Sequence, residues 1–309
     1  KMDLMAFGGR RRRKTEEAMS EAQSIQWFPG HMTRTKRQIE KYLCQIDAVA
    51  EIVDARIPVS SRNPDLDRLT RNKPRVILLN KSDMADMAAT KAWCAVLQGH
   101  GKLAIAVDCK TGRGLQRFQP AVKKVLAPQI AVWQRKGMVG RTIRVMVVGV
   151  PNVGKSSLIN KLSRGSRAAV EDRPGVTRSN QWFPIGKGFD LLDTPGVLWP
   201  KFDDPVVGEH LAFTGAIKDE VVDTEHLAAR LLELLSRAYL QALCARYKLE
   251  PATLSGLEGW QILEMIGRKR GMLISGGEID TERASIMVLD EFRAGKIGRI
   301  TLEWPEGKR

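Results

Sequence analysis

One stretch constrains the fold more than any other. Gly149-Val-Pro-Asn-Val-Gly-Lys-Ser156 fits G-x-x-x-x-G-K-[ST], follows an apolar run at 143–149, and opens into Ser-Leu-Ile-Asn-Lys-Leu, whose pattern is helical. A strand that ends in a glycine-rich loop and continues as a helix aims backbone N–H groups at one point, where the helix dipole favours a bound phosphate. On this reading Asn152, Val153, Gly154, Lys155, Ser156 and Ser157 line the phosphates. Lys155 reaches the outer phosphates and the Ser156 hydroxyl ligates Mg2+. A chance glycine-rich turn is the alternative, and the three matching contexts weigh against it.

The rest of the chain supplies the sheet that such a loop needs. From Ile25 onward, short apolar runs at 48–56, 75–80, 103–108, 143–149 and 189–193 alternate with helical stretches, which predicts an α/β fold with a doubly wound, mostly parallel sheet. After Pro205 the texture changes to long helical runs at 225–249, 259–271 and 281–298. The expected organisation is therefore a disordered basic leader at 1–24, a nucleotide-binding domain at 25–204 and a smaller all-helical domain at 205–309. A chain of 309 residues with 43% hydrophobic content can bury cores for both.

Charge and cysteine usage narrow the function classes. The formal net charge is +15, and no Asp or Glu occurs between Cys109 and Val170, while Lys110, Arg113, Lys123, Lys124, Arg135 and Arg144 accumulate there. A solvated basic face is the plain reading of one charge run; spread over a nucleotide-binding chain, the excess points to RNA. No zinc-finger spacing or aromatic-rich platform points to DNA. The four cysteines are far apart and form no C-x-x-C pair, so neither a disulfide framework nor a zinc site is expected, and a reducing cytoplasm fits. No apolar run reaches the roughly 18 residues of a spanning helix, so no membrane partner is expected.

Two further motifs bear on the ligand. Asp193-Thr-Pro-Gly196 follows the run 189–193 and would supply a carboxylate on the magnesium side and, at Gly196, an N–H for a terminal phosphate. Between it and the phosphate loop, Thr177 in Pro-Gly-Val-Thr can close the metal shell; a plain turn explains that threonine equally well. Asn80-Lys-Ser-Asp83, at the end of the run 75–80, can read guanine: the Asn80 amide answers the N7 side, and the Asp83 carboxylate accepts from N1–H and the exocyclic amine. Adenine lacks those two donors, and a site built to receive them rejects it by about 10^4 or more in favourable cases. GTP is the expected nucleotide. Lys81 would lay its stem along the base, with the backbone of Asp108, Cys109 and Lys110 nearby. The competing reading makes Asn80 or Asp83 a helix N-cap.

These residues resemble the circularly permuted GTPases, most closely the YlqF-related family of ribosome biogenesis GTPase A. Ordinary GTPases run phosphate loop, D-x-x-G, then N-K-x-D; here Asn80 to Asp83 and Asp108 to Lys110 precede Gly149 to Ser156, Thr177 and Asp193 to Gly196. Loops at the strand C-terminal edge converge whatever order the chain visits them, so the pocket can survive permutation. The resemblance covers Ile25 to the C-terminus, including Trp27-Phe-Pro-Gly-His-Met32 and Pro174-Gly-Val-Thr-Arg178, and departs from the usual S-A-K at Asp108 and Cys109. It implies a slow, ribosome-stimulated GTPase that binds the large ribosomal subunit precursor through rRNA and ribosomal proteins, acts in late maturation as a monomer, and leaves after hydrolysis. Where many GTPases place a water-orienting Gln stands Val197, and the resemblance implicates His31 instead; His31, Lys155, Thr177 and Gly196 form the expected catalytic set. Asn152 resembles an asparagine that holds K+ in cation-stimulated GTPases. RNA contacts are expected from 110–144, from the stretch after His31, and around Arg268 to Arg270. Rival readings are an RNA-binding scaffold with a structural nucleotide, and a GTPase switch acting on a protein partner.

Overall fold

The computed structural model describes residues 37, 39–99, 101–163, 181–199, 202 and 204–307. Six strands form one sheet: β1 (Ala48–Asp54), β2 (Arg75–Asn80), β3 (Lys102–Ala106), β4 (Ile143–Val148), β5 (Gln181–Pro184) and β6 (Phe189–Asp193), in the order β3-β2-β1-β4-β6-β5. All neighbours are parallel except β5 with β6. β1 and β2 are buried at every residue, which is why their sequences are mainly apolar and not alternating; Glu51 within β1 is buried in an ion pair with Arg75 at 2.8 Å. β5 escapes the sequence reading because it is a four-residue edge strand ending in proline, with no periodic signal.

Helices cover both faces. α1 (Pro64–Leu69) starts with proline behind an Asn63 N-cap, and α2 (Met87–Val96) starts behind Asp86, whose carboxylate accepts from the N–H groups of Ala88 and Ala89. The N-cap is thus Asp86, and not Asn80 or Asp83, which leaves those two side chains to other work. α3 (Phe118–Val125) and α4 (Ala127–Arg135) follow β3, and α5 (Lys155–Leu162) grows directly from the glycine-rich loop after β4.

Beyond β6 the chain becomes helical: α6 (Pro205–Phe213), α7 (Thr224–Ala238), α8 (Leu240–Tyr247), α9 (Pro251–Leu254), α10 (Gly259–Lys269) and α11 (Thr281–Arg293). The single run expected at 225–249 is broken at Tyr239, which leaves the helical region with φ −137° and separates α7 from α8. α7 buries Leu227, Leu231 and Leu235 at helical spacing against α10 and α11. The apolar cluster runs without a break from Val76 and Val147 in the sheet through Phe213 and Phe292 to Ile300. Each such fully buried side chain stabilises by about 1.5–3 kcal/mol relative to exposure, so the helices after Pro205 are seated on the sheet by more than polar contacts.

Candidate functional site: a nucleotide cleft at the strand C-terminal edge

Parallel strands deliver their following loops to one edge. The loops after β1, β2, β3, β4 and β6 therefore meet there, at the point where the chain visits β1 and β4 side by side. The joint between the two stretches of sequence is one side chain. Asn80, nearly fully buried at the end of β2, donates from Nδ2 to the Val153 carbonyl at 2.6 Å, and its Oδ1 accepts the Cys109 N–H at 2.8 Å. The guanine reader, the loop after β3 and the phosphate loop are thereby fastened together. Each end of the amide has a second hydrogen-bonding position, so these two bonds are compatible with the guanine contact expected of Asn80.

The phosphate loop has the backbone its sequence predicts. Gly154 carries φ +101°, and a Cβ there would lie 2.3 Å from Asn80 Nδ2. Glycine is required twice over at this position, by the backbone angle and by the amide it must admit. Lys155 is buried, with Nζ donating to the carbonyls of Gly149 at 3.1 Å and Val150 at 2.9 Å. Burial pulls its pKa down to about 8, opposed by the charge of Asp193. Ser156 and Ser157 lie half-buried in the first turn of α5, and Val153 is buried beneath the loop.

The loop after β6 closes the other side. A Cβ on Gly196 would stand 2.8 Å from Pro151 and 3.0 Å from Lys155 Nζ, so the Asp193-to-Gly196 segment passes against the phosphate loop with no room for a side chain. Val197 and Leu198 are buried, and the Val197 N–H donates to the Gly149 carbonyl at 3.3 Å while its carbonyl accepts from Asn63 Nδ2 at 2.9 Å. Neither apolar side chain can orient water. The glycine cradle admits phosphate oxygens where any Cβ would intrude, and Ser156 and Asp193 offer the hard oxygen donors that Mg2+ takes in small number beside phosphate. Among the described residues no group of three or more His, Cys, Asp or Glu is placed to hold a metal.

The guanine side departs from expectation in detail. Asp83 Oδ1 is buried and has no hydrogen-bond partner within the protein. Lys81 sits at φ +58° and its Nζ pairs with Asp54 Oδ2 at 3.0 Å. Burial alone would raise the Asp54 carboxyl, but the charges of Arg56 and then Lys81 outweigh it and hold the group far below the usual carboxylate range. In the loop after β3, the Lys110 N–H donates to Asp108 Oδ1 at 2.9 Å, and Asp108 also accepts from Thr111. Asp108 therefore caps its own turn. Burial raises its carboxyl and the Thr111 and Lys110 hydrogen bonds lower it, with the lowering prevailing. The Cys109 and Lys110 N–H groups both donate to side chains of the protein, and burial drives the Cys109 thiol far up.

Asn152, at φ +58°, donates from Nδ2 to the Gly215 carbonyl at 2.8 Å, linking the phosphate loop to the segment after α6. His31 and Thr177 lie outside the described residues, as do 27–32 and 174–178. The sequence reading missed Asp54, Arg56 and Gly215. Asp-Ala-Arg at the end of the apolar run was the available signal, an acid and a base two residues apart.

The basic residues ahead of the phosphate loop are exposed on α3, α4 and their connections, and among the described residues only Arg141 of this set meets an acid, Asp47 at 2.8 Å. Arg268, Lys269 and Arg270 are exposed at the end of α10, with Arg270 facing Glu291 at 3.7 Å. No helix among the described residues is long and apolar enough to cross a membrane.

Comparison with known proteins agrees with this geometry. Residues 144–242 match the family model described as 50S ribosome-binding GTPase. The chain is 45% identical over 282 residues to ribosome biogenesis GTPase A of Bacillus cereus, covering 91% of this chain and 94% of that one. Among solved structures it is similar to YlqF from T. maritima in its GNP-bound form, at TM-score 0.61 and 31% identity over 88% of this chain and 99% of the other. A GDP-bound YlqF structure matches at TM-score 0.62 and 30% identity over 87% and 100%.

Proposed function

Because this chain belongs to the ribosome biogenesis GTPase A family, GTPases with a role in ribosome assembly, we propose that it is a circularly permuted switch that binds a precursor of the large ribosomal subunit when loaded with GTP and leaves after hydrolysis. The observation that carries the proposal is the path of the chain after Gly196. That segment is held against the phosphate loop and then leads into α6, whose following loop is gripped by Asn152 of the same phosphate loop. A change at the terminal phosphate is thus one covalent step and one hydrogen bond away from the helical surface.

Each residue has a part in this reading. Asp83 receives the guanine donors, Asn80 keeps the three loops in register, and Lys155 sets its ammonium against the outer phosphates, gaining full charge as they approach. Ser156, Asp193 and Thr177 would hold Mg2+, which neutralises phosphate charge when bound. The Gly196 N–H meets the terminal phosphate. His31 supplies the group that Val197 cannot, and the Asn152 carbonyl oxygen is the atom for K+. The exposed cations of α3 and α4, together with Arg268 and Lys269, face rRNA, in a cytoplasmic monomer.

Sedimentation with large-subunit precursors tests this. Co-migration with a non-hydrolysable GTP analogue and loss of it with GDP is the expected result; equal binding in both states refutes the switch. His31→Ala retaining full particle-stimulated turnover would remove that residue from catalysis, and equal rates in KCl and NaCl would remove the potassium site.

A further inference from the structure

The guanine-reading loop is braced from outside the sheet by the extended segment 300–303, which follows the last helix. Two loops leave the sheet side by side here, 54–56 after β1 and 80–86 after β2. The segment is threaded between them. The Ile300 N–H donates to the Met84 carbonyl at 2.9 Å, and the Leu302 N–H donates to the Arg56 carbonyl at 2.8 Å. Between them Thr301 Oγ1 accepts the Asp86 N–H at 3.1 Å and donates to the Ala55 carbonyl at 3.3 Å. Asp83 is thus flanked by Lys81, held through Asp54, and by Met84 and Asp86, held through this segment.

The segment is itself anchored at both ends. Tyr239, at the break between α7 and α8, donates its hydroxyl to the Thr301 carbonyl at 2.8 Å and accepts the Thr301 N–H at 3.0 Å. Glu303 accepts from the Ser60 N–H at 3.0 Å and faces His210 Nδ1 of α6 at 2.9 Å, and its carbonyl accepts from Trp93 Nε1 at 2.8 Å. Ile300 and Thr301 are both almost fully buried, which shields these bonds from competing water.

We propose that segment 300–303 is a strap that sets guanine affinity, with Thr301 and Tyr239 as positioning residues that act through Met84 and Asp86 on the placement of the Asp83 carboxylate. The strap belongs to the helical part of the chain, so drawing that part away loosens the base reader and speeds nucleotide release. By reciprocity, a bound guanine holds the helical part in place. The inference rests on Asp83 as the guanine acceptor.

The test compares GDP with inosine diphosphate, which lacks the exocyclic amine that Asp83 receives, in wild type, Thr301→Val and Tyr239→Phe. Both substitutions keep volume and remove strap hydrogen bonds, Tyr239→Phe losing in addition the 3.4 Å bond from Trp304 Nε1. The wild type is expected to prefer GDP. The variants should release a fluorescent GDP about tenfold faster, lose less affinity for inosine diphosphate, and so show a smaller preference, with turnover at saturating GTP unchanged. A general loosening would weaken both nucleotides alike; an unchanged preference ratio in the variants therefore overturns the strap. A wild type with no preference for GDP removes Asp83 as reader and the strap with it, which separates the two failures. Should Thr301→Val not fold, Tyr239→Phe and Glu303→Gln carry the same comparison.

Discussion

The fastening of three loops by Asn80 predicts a specific non-additivity. Asn80→Ala leaves the Val153 carbonyl and the Cys109 N–H, both buried, without their partner. Each unsatisfied group costs about 1–3 kcal/mol, so the loss should be roughly 2–6 kcal/mol, a large part of a typical folding free energy of about 5–15 kcal/mol. Gly154→Ala attacks the same joint from the other side. Its Cβ would sit 2.3 Å from the Asn80 amide nitrogen, at φ +101°. The backbone strain alone costs at least about 1–2 kcal/mol, and expelling the amide adds most of the Asn80 term. In an Asn80→Ala background the obstructing atom is gone and only the strain remains. The double variant should therefore be less destabilised than the sum of the singles by about 2 kcal/mol or more. Urea unfolding of the nucleotide-free protein, followed by tryptophan fluorescence, measures all four corners of the cycle. Additivity within about 0.5 kcal/mol would refute the joint.

Three further outcomes follow from the same geometry. Burial holds Lys155 at about 8, below its ordinary 10.5; between those values the unfolded state binds more protons, so nucleotide-free stability should rise with pH across that window, and GDP binding near pH 9 should take up a proton, seen as buffer-dependent heat in calorimetry. Arg56→Ala takes from the buried Asp54 carboxylate its two-point partner and leaves Lys81 at 3.0 Å, so the loss near neutrality should not exceed about 3–5 kcal/mol, the cost of a buried charge left wholly unpaired. Because the wild-type Asp54 carboxyl is depressed, its contribution is complete above the unfolded value of 3.8 and declines below it, so the gap between variant and wild type should close by about 1.4 kcal/mol per pH unit in urea melts taken below pH 4. Under the proposed rRNA contact, Lys123→Glu or Lys124→Glu should flatten the slope of log affinity against log salt by about one per lost phosphate contact, measured by filter binding.

Legibility in the sequence followed the physics of each element. β1, β2, β4 and β6 are legible because strands buried over most of their length are mainly apolar, broken within only at Glu51, Arg144 and Asp190, and the phosphate loop is legible because glycine at 154 has no substitute. β5 is not, since an edge strand of four residues carries no period. The bonds that Asn80 makes to the Val153 carbonyl and the Cys109 N–H are not legible in the sequence, because both partners are brought near it only by folding. Thr301 and Glu303 gave no signal at all, because a strap is defined by what lies on either side of it. The break at Tyr239 was hidden by leucines and alanines that continue a helical pattern across it, although the tyrosine hydroxyl that binds Thr301 explains why the chain turns there.

The order of motifs along the chain costs the pocket nothing, because its geometry is fixed by strand neighbours and not by strand sequence. β1 and β4 lie side by side, and the loops that leave them and their outer neighbours reach one edge in either order of synthesis. What the order does change is which segments must be tied back by non-covalent means. The reader after β2 and the phosphate loop after β4 have no short covalent link, and Asn80 supplies one at 2.6 Å. The helices after β6 do have a covalent link to the phosphate side, at Gly196, and reach the guanine side through Arg56, which donates to the Phe292 carbonyl at 3.0 Å, through His210 of α6 beside Ser60 at 3.2 Å, and through the strap at 300–303. Any reorientation of these helices would have to slide the apolar contact that seats them on the sheet as well as break these hydrogen bonds. Under the proposed switch, events at the terminal phosphate would act at the Gly196 end, and the guanine end would be where the fastening gives way.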